Sequence, residues 1–590
     1  MMTALLSVGA WATDDLTLNV GAASGSWGVS NDNGSMTIQQ YASSGWTVNL
    51  NPDEYCGIEV EYSTSTPRIY LQIWYEGDTG DDPSQSIELS TSATTLKTYF
   101  SHTRTIQKIV FEYGEWEGSP SDASITVTSA VVKAYDSDKD FTLNMTYAKN
   151  FNDWGTFNVS GNTIEVGQWH EGGWLVPLNK DKYCGVDFSF TEATTAKIYL
   201  KIVYADATEQ SIEIPAGSNH IAADFIQNAN ISKIGFRHGD NGNSSNVSIT
   251  ITSAVVKAES TGEVTELSFS NLDGGATKDN ENNSFTMSCY AWGAYWAFSP
   301  AISSDDYEKV VVTFSEAIPD KPNLAIHAHE NSGSDAWNGT QIGTLTSGGN
   351  KATAYFSSKP GVNIDQLGFY FGWNDGETAT TLKIASAKLY KKPQTVTIAD
   401  AKYATCVSTA ATDFSQTDGI KAYIATVNAE RTKVELTEVT KVAAGVPVIL
   451  NGSAKDYTLH YTTESTDDVS DNELKVSDGT VTGSTGNIYV LANKTPDGVG
   501  FYKLGSSVTV PAGKAYLSVP ASSRQFIGFG DDNGATGITM VQGEGFMVNG
   551  SDNYYDLQGR RVAQPTKGLY IVRSAEGRLQ GKNGKKVIIK

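Results

Sequence analysis

The chain has 590 residues, more than one domain holds and enough for roughly four. Hydrophobic residues make up 39% and charged residues 18%, so Ser, Thr, Asn and Gly supply the polarity, which suits short strands with Gly-rich turns and excludes helical bundles. A net charge of −23 excludes nucleic acid and anionic membranes as partners.

In chain order, Met2–Ala12 comes first and reads MTALLSVGAWA. A short apolar run closing on Ala10-Trp11-Ala12 predicts the end of a signal peptide, with a buried first strand as the other way to use such a run. No Cys follows it, and no stretch approaches the ~18 apolar residues of a membrane span. Three tandem copies come next, over 13–136, 137–260 and 261–392. DEYCGIEVEY returns as DKYCGVDFSF, RIYLQIWYEG as KIYLKIVYAD, and ASITVTSAVVKAY as VSITITSAVVKAE. The third copy is more divergent: DDYEKVVVTF, NLAIHAHENS, QLGFYFGWND and TLKIASAKLY. An offset that falls from 129 at Arg68/Lys197 to 124 at the closing strands marks whole tandem domains, not solenoid coils.

Within each copy about eight alternating segments lie between Gly, Asn, Asp or Ser clusters, which predicts an all-β, antiparallel sandwich of jelly-roll type. Alternation assigns the faces. Ile69, Leu71, Ile73 and Tyr75 point inward, as do Ile198, Leu200, Ile202 and Tyr204; Tyr70, Gln72 and Trp74, and Tyr199, Lys201 and Val203, point outward. Cys56 and Cys184 occupy equivalent places in separate domains and read as buried free thiols. From 393 to 530 a further β-rich module contains no Trp; 531–553 reads as a linker. The tail, 554–590, is a unit by charge: from Tyr555 on it has nine Lys/Arg against two Asp/Glu, a net +7 that leaves −30 for the rest.

Of the twelve tryptophans, one lies in the leader and eleven lie between Trp27 and Trp373. Sugar rings stack on flat aromatic faces, so this segregation fits carbohydrate binding, although large sandwich cores also produce it. Trp46, Trp174 and Trp296 share the parity of apolar neighbours and read as core or rim; Trp27 and Trp154 read as core plugs. Tyr41 and Trp169, in the polar loops YASSGW and WHEGGW, have less core to reach and are ligand candidates, as are Tyr290 and Trp292 in the matching loop. Trp74, outward beside Tyr70 and Gln72, is the expected main platform of the first copy. Trp116, Trp337 and Trp373 sit in Gly/Asn-rich turns and join the candidates. Tyr199 joins the candidates with Tyr70, and partners to sugar hydroxyls are expected from Gln72, Glu112, Lys201, Arg237, His238, His327, His329 and Tyr370. The copies differ at these positions, which fits three modules reading different parts of a glycan and fits plain solvated faces equally.

No GxSxG, HExxH or phosphate-loop motif occurs, and no catalytic residue is predicted. His327 and His329 share a face but lack a third ligand nearby. Asp136, Asp138 and Asp140 alternate without the Gly and Glu of a calcium loop, so a structural calcium is the one cofactor considered.

The repeats, with their Trp/Tyr loops and closing SITVTSAVV strand, resemble the galactose-binding-type jelly-roll carbohydrate-binding modules attached to plant-wall hydrolases. YDLQGRRV, KGLYIV and GKKVIIK resemble the C-terminal sorting domains of Bacteroidetes proteins exported by the type IX system, with SAEGRLQGKN as a departure. These resemblances imply outer-membrane translocation and polysaccharide capture. The expected protein is therefore a secreted or cell-surface, non-catalytic binder of plant or host glycans, with polysaccharide and the secretion machinery as partners. Its rivals are a structural or adhesive protein with the repeats as spacers, and a glycoside hydrolase with an unrecognised site.

Overall fold

A computed structural model describes residues 15–25, 29–79, 83–114, 120–135, 140–152, 155–192, 197–239, 245–268, 271–272, 276–279, 284–289, 291–330, 339–372, 376, 379–484, 486–520, 522, 524–529, 538–540, 552–555, 561–562, 568–574 and 585–589. These residues are almost entirely β, and four short 3₁₀ turns are their only helical elements. No described helix is long and apolar enough to cross a membrane. The chain divides into two compact units, Met1–Pro393 and Gln394–Lys590.

In the first unit each of the first two repeats is a sandwich of two antiparallel sheets. The five-stranded front sheet of repeat 1 runs Ser24–Gly25, Ser43–Leu50, Ile106–Tyr113, Ile69–Tyr75, Gln85–Glu88. Its back sheet centres on Asp122–Ala134, flanked by Ser35–Gln39 and Tyr55–Thr64. Repeat 2 has the same order: Lys149–Asn150, Glu171–Leu178, Ile231–His238, Ile198–Tyr204, Glu209–Glu213 in front of a sheet centred on Val247–Ala258. In repeat 3, Thr340–Thr344 and Lys351–Tyr355 pair at Gly343 and Ala354, which joins the two layers into one eleven-stranded sheet.

Alternation makes these cores. Ile69, Leu71, Ile73 and Tyr75 are fully buried, as are the repeat 2 counterparts of the first three, Ile198, Leu200 and Ile202, and on the neighbouring strand Ile109, Phe111 and Tyr113. Trp46, Trp174 and Trp296 lie in the cores. The indole N–H of Trp46 donates to the Asn19 carbonyl and that of Trp174 to the Asn144 carbonyl, each at 2.8 Å. Asn19 and Asn144 each cap a 3₁₀ turn, so one device seats the Trp in both copies. All four thiols are free. Burial pushes Cys56 up to about 12 and Cys184 to about 11, as for apolar packing residues.

The second unit holds a nine-stranded sheet with two small two-stranded sheets, and a five-stranded sheet near its end. That last sheet runs Ile538–Met540, Lys585–Ile589, Gly568–Ser574, Asp552–Tyr555, Arg561–Val562. The stretch 531–553 is thus more than a linker: the apolar triplet Ile538-Thr539-Met540 pairs in parallel with Lys586–Ile588. Three residues are too few for alternation to show in the sequence.

Candidate functional site

The outer face of each front sheet is built in rows across its strands. In repeat 1, Ser43, Glu112, Tyr70 and Glu88 lie opposite one another, then Gly45, Val110, Gln72 and Ser86, then Thr47, Lys108 and Trp74. In repeat 2 the same rows read Glu171, Arg237, Tyr199, Glu213; then Gly173, Gly235, Lys201, Ser211; then Leu175, Lys233, Val203, Glu209. Gly45 and Gly173 let strands approach closely: a Cβ there would sit 2.1 Å from the Ile109 carbonyl oxygen or 2.3 Å from that of Ile234.

At one end of this face an aromatic turn is pinned to the central strand. Tyr41 N–H donates to the Tyr113 carbonyl at 2.8 Å, and Trp169 N–H to that of His238 at 2.8 Å. Both residues have left-handed backbones, φ 61° and 67°. Both rings are open to solvent, Tyr41 at 63% and Trp169 at 50% exposure, and among the described side chains no other Trp, Tyr or Phe is as open. Bulky residues rarely adopt positive φ, and strain of this kind concentrates at functional sites. The Arg237 guanidinium carbon stands 5.8 Å from the centre of the Trp169 ring, within cation–π range.

Several expected contact residues are placed differently. Gln72, Lys201, His327 and Tyr370 are buried, although alternation puts them on the outer face. Their neighbours cover them: Gln72 accepts from the Trp74 indole at 3.3 Å, and Lys201 lies between Glu171 and Glu209 at 2.9 and 3.0 Å. His327 packs on the Tyr370 ring, centroids 4.8 Å apart. His238 is wholly inside: it opposes Ile198, takes the core place of Tyr113, and its ring nitrogens have no hydrogen-bond partner among the described residues. A one-residue step along a strand reverses the face, which is why it cannot stand outward beside Arg237.

Trp74 does stand outward but is half-buried, with the Lys108 ammonium 5.4 Å from its ring centre. Tyr70 and Tyr199 are half-buried over Gly114 and Gly239; a Cβ there would meet the rings at 3.0 and 2.7 Å. His329 pairs with Asp365 at 3.2 Å. Asp140 accepts from Ala258 N–H at 3.0 Å and pairs with Lys257, repeating the pairing of Asp15 with Ala134 and Lys133. Trp27, Trp116, Asp136, Asp138, Trp154, Tyr290, Trp337, Trp373 and the leader lie outside the described residues, as does the side chain of Trp292. The sequence reading passed over Lys108, Lys149 and Lys233; Lys233 shares the parity of Arg237, the signal that could have found it.

No family model matches the chain, and no curated protein matches it. Among solved structures it is similar to a chain of Sulfolobus turreted icosahedral virus, at 11% identity over 63% of this chain and 91% of that one, with a TM-score of 0.17. It is also similar to the BSP domain of a biofilm-associated protein, at 10% identity over 85% of this chain and 97% of that one, with a TM-score of 0.09. Neither likeness bears on what the faces bind.

Proposed function

We propose that the chain is an exported, non-catalytic polysaccharide-binding protein whose front-sheet faces hold sugar rings on the Tyr41 and Trp169 turns. One observation carries this reading: two repeats place a solvent-open aromatic ring on a left-handed residue at the same point of the same turn. A core does not use such a ring, and a purely structural turn is better served by Gly there. Tyr70, Trp74, Glu112 and Tyr199 extend the platforms, and the resemblance of the tail to type IX sorting domains supports export to the cell surface or beyond.

The test is retention of the full chain on insoluble plant and host polysaccharides, alongside the Tyr41→Gly/Trp169→Gly double variant. Retention that the double variant loses supports the reading; equal retention by both, or none by the parent chain, overturns it. A spacer role has one observation of its own: buried bonds join repeat 1 to repeat 2 and repeat 2 to repeat 3.

A further inference from the structure

In a chain of net charge −23, the outer face of repeat 2's front sheet carries four cations, Lys149, Lys201, Lys233 and Arg237, against three carboxylates, Glu171, Glu209 and Glu213. Lys149 opposes Gly173 on the edge strand, Lys233 lies one row from Gly235, and Arg237 opposes Tyr199 beside Trp169. None of these three cations has a carboxylate at ion-pair distance among the described residues. Lys201, in the same face, is already balanced by Glu171 and Glu209. Desolvation and then the Lys233 charge lower the pKa of Lys149, as expected where two ammonium groups share a patch. The matching positions of repeat 1 are Ser24, Lys108 and Glu112, so only Lys108 is cationic, and it lies over Trp74. In repeat 3, Gln366 and Tyr370 take the places of Lys233 and Arg237.

Resting on the glycan-binding reading above, we propose that the repeat 2 face selects a uronate-containing polysaccharide, with a sugar ring on Trp169 and its carboxylate on Arg237. A uronate carboxylate hangs from the edge of its pyranose ring. A guanidinium poised over the same indole meets it with a planar, two-pronged donor set. Lys233 and Lys149, farther across the face, meet the carboxylates of following residues. A neutral glycan brings no charge of its own to these three cations. Because the chain as a whole repels a polyanion, only a face with local cations seats one.

Binding of the full chain to polygalacturonate, to its carboxyl-reduced neutral form and to a sulfated galactan tests this, with Arg237→Gln and Trp169→Gly variants. The expected result is at least a ~10-fold preference for polygalacturonate over the reduced polymer. Arg237→Gln should erase that preference, read as the ratio of affinities for the two polymers, and Trp169→Gly should weaken binding of both. Equal binding of the two polymers, a preference that survives Arg237→Gln, or a preference for the sulfated polymer overturns the uronate assignment. Binding of neutral polymer that depends on Trp169 or Tyr41 would still uphold the broader reading. Polymer binding indifferent to both Tyr41→Gly and Trp169→Gly overturns the two together.

Discussion

Tyr41 and Trp169 combine two features that work against stability: a left-handed backbone on a bulky residue and a large ring left in water. A glycine at either place relieves the backbone strain and gives up little packing. Tyr41→Gly and Trp169→Gly are therefore each expected to raise unfolding free energy by roughly 0.5–1 kcal/mol while weakening polysaccharide binding about ten-fold. Urea denaturation and affinity gels on the same samples check both signs; a loss of stability would mean the rings pack after all. The residue types of these turns were legible, because the residues two away from each ring, Gln39 and Ser43 or Gly167 and Glu171, offer no apolar side chain to share parity with. The sign of φ was not, since it is set by how each turn docks on the strand end at Tyr113 or His238. The cover over Gln72 and Lys201 was equally hidden. Alternation gives the side of the sheet; cross-strand partners decide the burial.

Between repeats, equivalent positions carry different chemistry. Tyr99 opposes Gly57 in repeat 1, and Asp224 opposes Gly185 in repeat 2. At the first junction Tyr99, Tyr135, Phe141, Tyr147 and Tyr183 form an aromatic cluster, and the Tyr135 hydroxyl donates to the Pro177 carbonyl at 2.8 Å. At the second, Tyr355 donates to the Asp224 carboxylate at 2.8 Å, and the buried Lys309 pairs with Glu259. Repeat 2 therefore fits repeat 1 on one side and repeat 3 on the other without the two being exchangeable. Lys309→Met strands a buried carboxylate and is expected to cost about 3–5 kcal/mol, whereas Lys309→Met combined with Glu259→Leu should recover most of that loss. Guanidinium denaturation followed by Trp fluorescence, to which residues 393–590 contribute no Trp, measures it. If the double variant is no better than the single one, the pair contributes more than charge balance. The repeats and their strands were plain in the sequence because each strand recurs with its neighbours in order. The junctions were not, because Asp224 and Glu259 look like ordinary surface acids until a second repeat covers them.

At the scale of the whole molecule, the second unit carries a pH response of its own. In the second unit, burial lowers His460 to about 4 from its ordinary 6.5, with Asp413 opposing. A histidine whose folded pKa is depressed binds its proton more readily when unfolded. Its contribution is therefore complete above about pH 6.5 and is lost as pH falls toward 4, on the order of 2 kcal/mol after allowance for partial exposure. Calorimetry of the full chain should show the transition of Gln394–Lys590 moving down over that interval. His460→Gln should flatten the dependence; a transition as pH-sensitive in that variant as in the parent would assign the effect to other groups.

The tail of this second unit sets the last prediction. Its terminal strands Gly568–Ser574 and Lys585–Ile589 pair antiparallel, as two β-branched, turn-bounded runs should, and Ile538–Met540 completes the sheet at one edge. A clean deletion must therefore remove everything after Phe529: cutting at Tyr555 would strand Ile538–Met540 with its edge unpaired and invite aggregation. The proposed role of this tail in export rests on its net +7 from Tyr555 onward, against −30 elsewhere, which a secretion receptor could read by charge. The proposed glycan platforms lie within Met1–Pro393. The truncated chain is therefore expected to bind polysaccharide as the full chain does and to accumulate in the periplasm of its native host. Protease shaving of intact cells distinguishes the outcomes. Normal surface exposure of the truncated chain would reduce the tail to a terminal structural module, and loss of polysaccharide binding would show that the two units cooperate in recognition.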